Sequence, residues 1–339
     1  MKKRIIAFFL AGMLAVSCML TGCSSKSAEK SQEYKELGIK QLGEESYGDA
    51  VESFQKALDQ SVGRVGAQEI DVCYYKALAQ YKSGDVEGAI ETYSGLVDYD
   101  EKNWEVYYLR GSVYLQNGQD ELCLKDYDQA VSLNGEDFEL YAHIYENLAA
   151  AGFEEKGQNY LESALKLKAS SAEDYAGLGY IYFLKEDYTN AEKNLQKAVD
   201  EKYEKALLEL GQVYAAQGKM DEAKASFESY MEKYPEDASA LNHLGEIALS
   251  AEDYEGAATY FEKALDVAEK GDRQNILRNV VMAYEHAGDF DQAFKAAEEY
   301  VSEFPNDANM QKEYEFLQTR IAQEPDETEN EIAGEVETE

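Results

Sequence analysis

Proline is nearly absent from this sequence, with three residues in 339 at Pro235, Pro305 and Pro325. A chain with so few interruptions of the helical hydrogen-bond ladder can be helical almost throughout. No segment alternates apolar and polar residues with period two, so strands are not expected. Three histidines and four scattered cysteines are too few for a metal framework. Basic residues are also short, 32 Lys and Arg against 68 Asp and Glu, giving a net charge of −36. Phosphate backbones are bound by positive surface, which excludes nucleic acid as a partner. Also missing are a Gly-x-x-x-x-Gly-Lys-Ser/Thr loop, a Gly-x-Ser-x-Gly elbow and a His-Glu-x-x-His pair. No enzymatic activity, cofactor or resident metal is expected. Carboxylates are so frequent that their pairing says nothing about acid–base work.

What is present is a repeat. From Glu204 to Asp237, Leu207, Leu210, Gly211 and Tyr214 fall on one face of a helix. Gly218 breaks it, and Ala223, Phe227 and Tyr230 mark a second helix that Pro235 ends. A hairpin of about 34 residues cannot bury both apolar faces alone, so similar units must flank it. The pattern returns from Tyr34 to Pro305, as in the runs beginning at Gly177 and His243. These columns resemble the tetratricopeptide repeat (TPR) pattern, W-x2-L-G-x2-Y…A-x3-F…P. The resemblance implies an all-α, right-handed helical-hairpin solenoid of about eight repeats with a C-terminal capping helix. The small columns (Gly179, Gly211, Gly245) would let two helices cross closely, with Ala191, Ala223 and Ala257 facing them.

The ends differ from the repeats. Lys2, Lys3 and Arg4 precede an apolar run from Ile5 to Leu20, the layout of a secretory signal over 1–22. Leu20-Thr21-Gly22-Cys23 resembles the bacterial lipobox, which implies attachment of a diacylglyceryl group to the Cys23 thiol and cleavage before it. Two or more acyl chains, at about 0.8 kcal/mol per buried CH2, would anchor the chain to a membrane. The expected order is then a tether over 23–30, a solenoid over 31–307, a capping helix over 308–322 and an acidic tail over 323–339. That tail holds eight acidic residues and no basic one, a composition expected to be disordered. An extra turn is expected around Val62–Gly66. The fourth hairpin is irregular, with Tyr145 in the small column and Gly157 in place of the second-helix alanine.

Twenty-seven tyrosines are the compositional excess. Tyr74, Tyr75, Tyr81, Tyr108, Tyr180 and Phe183 lie just off the core stripe of first helices. If first helices line a concave groove, as the TPR resemblance implies, these six are the candidate ligand contacts. Packing between adjacent first helices is the other reading. His143 with Glu146 and His243 with Glu246 are three residues apart, which is either a weak divalent-ion pair or a solvated polar face. Cys73 and Cys123 occupy small apolar columns, as packed thiols or as a disulfide. The TPR chaperone-binding clamp of Lys, Asn and Arg is missing, because its columns hold Lys35, Glu36 and Ile39, and Asn242, His243 and Glu246.

The combined expectation is a lipid-anchored, extracytoplasmic TPR scaffold at the cell membrane (the outer membrane, if the cell has one). It would hold a neutral or basic protein or peptide in its groove. An envelope-polysaccharide or cell-wall binder, and an outer-membrane or pilus assembly lipoprotein, are the alternatives. The acidity itself is read either as partner selection or as solubility of exposed helix faces.

Overall fold

The computed structural model describes residues 26–61 and 65–321. Among them are seventeen α-helices and no strand. They pair as eight antiparallel hairpins followed by one terminal helix. The expected signal, Cys23 and the acidic tail lie outside the described residues, as do Val62, Gly63 and Arg64 of the expected extra turn.

The helices fall into two compact units, one ending at Lys168 and the other starting at Ala169. The first unit holds α1 (Lys26–Gly43), α2 (Tyr47–Asp59), α3 (Ala67–Ser83), α4 (Val86–Tyr99), α5 (Trp104–Gln116), α6 (Asp120–Leu133), α7 (Phe138–Ala150) and α8 (Glu154–Ala164). In the second are α9 (Ala172–Leu184), α10 (Tyr188–Asp200), α11 (Ala206–Ala216), α12 (Met220–Met231), α13 (Ala238–Ser250), α14 (Tyr254–Val267), α15 (Lys270–Ala287), α16 (Phe290–Glu303) and α17 (Ala308–Ile321). α17 stands where the capping helix is expected and buries Met310 and Leu317.

One boundary moves. Lys26–Lys30, expected in the tether, already belong to α1. No Gly or Pro interrupts this stretch, and contacts hold it: the Ser27 hydroxyl donates to the Gln60 carbonyl at 3.1 Å. Ser31 is buried and accepts from Gln68 at 3.2 Å.

Local chemistry sets the helix ends. Asp85, Asp137, Asp187, Asp237, Asp253 and Asp289 each cap the following helix through a side-chain oxygen, satisfying amides that lack a partner in the first turn. Gly218 turns the chain out of α11 at φ 75°. Glu186 and Glu252 make the same turn at φ 59°, a left-handed conformation that costs a non-glycine residue roughly 1 kcal/mol or more.

The small column is explained by what lies on it. A Cβ added at Gly211 would meet the Phe227 ring at 2.6 Å, at Gly245 the Phe261 ring at 2.5 Å, and at Gly179 the Leu195 side chain at 2.6 Å. Ala191, Ala223 and Ala257 are buried, but the group seated on each glycine comes four residues later than expected. The two irregular hairpins fill their crossings with other combinations of sizes. In the fourth, Tyr145 fills the small column and Gly157 makes room, since a Cβ there would meet the Tyr145 ring at 2.9 Å. In the eighth, Val281 stands in the small column and Ala297 in the large one, both buried in one core cluster.

Candidate functional site: the first-helix face of the second unit

In the second unit, side chains on α11, α13 and α15 join across successive repeats. Gln212 Nε2 lies 3.2 Å from His243 Nε2, and His243 Nδ1 lies 2.9 Å from Glu246 Oε2. Asn242 Nδ2 donates to Glu246 Oε1 at 2.7 Å, and Asn279 Nδ2 donates to Asn242 Oδ1 at 2.9 Å. The polarity is consistent along the ladder. With Nδ1–H donating to the carboxylate, His243 Nε2 is free to accept from the Gln212 amide. Donors converge on Glu246, whose side chain stays half exposed. The His243 ring is held from behind by stacking on buried Phe227, with centroids 5.0 Å apart.

Helical spacing places these groups. Asn242 and Glu246 are four residues apart, and His243 and Glu246 three, so all point to one side of α13. Gln212 and Asn279 sit 31 and 37 residues away, about one repeat in each direction.

Other first helices and the terminal helix of this unit carry aromatic residues. On α9, Tyr180 and Phe183 stack at 6.0 Å and are half-buried. On α17, Phe316 is 49% exposed. Two cations lie close: Arg278 donates to the Tyr300 hydroxyl at 2.7 Å and to Asp307 at 3.0 Å, and the Arg320 guanidinium lies over the Phe316 ring at 5.7 Å. The face therefore offers acceptor oxygens and aromatic surface. Among the described residues no group of three or more His, Cys, Asp or Glu is placed to hold a metal.

Glu285 of α15 and Glu313 of α17 meet through a carboxyl–carboxyl hydrogen bond, and burial with this contact lifts the Glu285 carboxyl to about 7. Folded protein thus holds this proton more tightly than unfolded chain. The associated stability is complete below pH 4.5 and is lost as pH rises through about 7. Beyond its intrinsic pH dependence, amide exchange in α17 is expected to speed up between about pH 5.5 and about pH 7.5. The Glu313→Gln variant should show a smaller extra acceleration, since burial of Glu285 remains.

In the first unit most candidate tyrosines are packed. Tyr108 is 2% exposed, and Asn147 Nδ2 donates to it at 3.0 Å, to Tyr127 at 3.2 Å and to Ser112 at 3.2 Å. A groove contact at Tyr108 is therefore corrected to a buried network, because Asn147 of the next first helix closes over it. The Tyr74 hydroxyl accepts from Asn103 at 2.9 Å, and Tyr75 stacks on Phe54 at 5.8 Å. Lys35 lies over that Tyr75 ring and pairs with Asp71. Tyr81 packs half-buried against the neighbouring core. Cys73 and Cys123 are free thiols, and burial pushes Cys123 up to about 12.

The sequence alone offers His243 and Glu246 as a weak divalent-ion pair or a solvated polar face, and Asn242 only as a column of the missing clamp; it does not join them as a ligand-facing ladder. The missed signal was Gln212 and Asn279, one repeat away on either side.

Family comparisons agree with this architecture. Models described as tetratricopeptide or TPR repeat match residues 208–275, 77–118, 105–137, 175–203 and 281–307. A TPR repeat-containing protein of Methanocaldococcus jannaschii is 24% identical over 266 residues, covering 72% of this chain and 44% of its own length. TPR repeat-containing protein YpiA of Bacillus subtilis is 24% identical over 223 residues, covering 65% and 51%. The chain spans about half the length of these curated relatives. A crystal structure of a tetratricopeptide repeat protein from Parabacteroides merdae superposes with a TM-score of 0.51 at 18% identity, covering 75% of this chain and 99% of that one. The chain carries tetratricopeptide repeats and folds as an all-α TPR solenoid.

Proposed function

We propose that this protein is a binding scaffold that holds a partner protein or peptide on the first-helix face of its second unit, beside a membrane in which lipid chains carried by Cys23 anchor it. The observation that carries the reading is the ladder ending on Glu246. Four polar side chains from three repeats are oriented by one another, and their shared carboxylate remains accessible. Such a surface is already ordered, so little rotamer entropy is lost when a ligand lands on it. Acceptor oxygens, a committed Arg278 and a net charge of −36 favour a ligand segment rich in Lys, Arg or other donors. The aromatic residues at α9 and α17 supply apolar contact. Anchoring would raise the local concentration of partners at the same membrane.

The test has two arms. Chain lacking residues 1–22 should bind fluorescent basic peptides more tightly than acidic or neutral ones, with affinity falling as salt rises. Glu246→Gln should weaken that binding about tenfold, since a charged hydrogen bond contributes about 1.5–3 kcal/mol. Full-length protein expressed in bacteria should partition with membranes, and Cys23→Ser should release it. Equal binding of all peptides, or preference for purified wall polysaccharide, would overturn the first arm. Membrane retention of the Cys23→Ser protein would overturn the second.

A further inference from the structure

The other side of α13 carries an apolar groove of about 450 Å³, bounded by α12, Pro235 and α14. Its floor is Leu241 and Leu244, with Met231, Tyr260 and Val267 as walls. Leu241 and Leu244 are three residues apart, and helical geometry turns them away from Asn242 and Glu246. This surface is therefore separate from the hydrogen-bonded ladder.

The groove has an origin in the repeat. Leu241 occupies the column that holds Tyr34, Tyr107, Tyr141 and Tyr175 in other hairpins, and tryptophan in the family pattern. A leucine there leaves the space an aromatic ring fills elsewhere. Cys73, Leu207 and Leu277 also break the aromatic column, and Leu277 is fully buried in the core with residues of α16 and α17. Leu241 is also buried, at 6% exposed, but the groove above it stays open, and Val267 on its wall is 38% exposed. The rim is acidic on balance, with Glu228 and Asp266 against Lys263. Asp266 makes no ion pair among the described residues.

We propose that this groove is a second docking site, which takes one large aromatic side chain of a partner protein flanked by Lys or Arg. The ring replaces the missing aromatic of the column, and the flanking cations meet Glu228 and Asp266. Neither contact draws on the first-helix face.

The probe is a short labelled peptide with one central tryptophan between lysines, titrated into the chain lacking residues 1–22 and read by fluorescence anisotropy. Binding is expected, and replacing tryptophan by alanine or the lysines by glutamates should weaken it at least tenfold. Leu241→Trp fills the groove from inside and should abolish binding, while helicity by circular dichroism is kept and the melting temperature is held or raised. Val267→Glu, on the exposed wall, is the companion variant if Leu241→Trp fails to fold, and should weaken binding at least fivefold. Undiminished binding by both folded variants would overturn the proposal. So would equal binding of the alanine or glutamate peptides.

Discussion

Gly245→Ala is expected to destabilise the second unit by about 1–3 kcal/mol, seen as a lower urea midpoint at unchanged slope. Two effects oppose each other at this site. Alanine is the better helix former by about 0.8–1.0 kcal/mol, so an uncrowded glycine would gain from the change. The new methyl group, however, would lie 2.5 Å from the Phe261 ring, which is itself fully buried. Neither helix can yield without disturbing the rest of the hairpin, so overpacking wins. Gly95 in α4 supplies the control. It is exposed and a Cβ there meets nothing within 4 Å, so Gly95→Ala should stabilise by up to about 1 kcal/mol. Gly211→Leu should lose more than Gly245→Ala, because a longer side chain enters an equally tight crossing at Phe227. Equal and opposite shifts are not required, but the sign must differ between Gly245 and Gly95. A stabilising Gly245→Ala would mean that the helices do not cross as described.

The fourth hairpin should show strong coupling between Tyr145 and Gly157. Gly157→Ala alone places a methyl group 2.9 Å from the Tyr145 ring and 3.3 Å from its carbonyl oxygen, and is expected to cost about 1–3 kcal/mol. Tyr145→Ala alone removes a large side chain from the crossing and is also destabilising. The double variant recreates the Ala77 and Ala89 arrangement of the second hairpin, where both alanines are buried. Its loss should therefore be smaller than the two single losses combined, by about 0.5–3 kcal/mol. Chemical denaturation of the four proteins measures this coupling. Strict additivity would show that the tyrosine and the glycine are unrelated departures from the pattern.

The two irregular repeats also show where reading by column stops. Tyr145 and Gly157, or Val281 and Ala297, look like separate defects along the chain, and only packing brings the members of each pair into one contact region. The tyrosines make the same point. Periodicity places Tyr108 and Tyr180 on comparable sides of first helices. Asn147, 39 residues from Tyr108, then closes over Tyr108, while Tyr180 stays only partly buried and stacks on Phe183. The ladder was half legible, because His243, Asn242 and Glu246 announce a common face by spacing. Gln212 and Asn279 do not, since their part depends on which residues of neighbouring repeats stand side by side.

By itself the sequence determined the helices, their pairing and the repeat, because these follow from local periodicity, turn residues and the scarcity of proline. Tertiary structure alone decided which side chains fill a crossing and which remain open to a partner. Those outcomes depend on atoms a full repeat apart meeting within a few ångströms, and no pattern along one helix carries that distance.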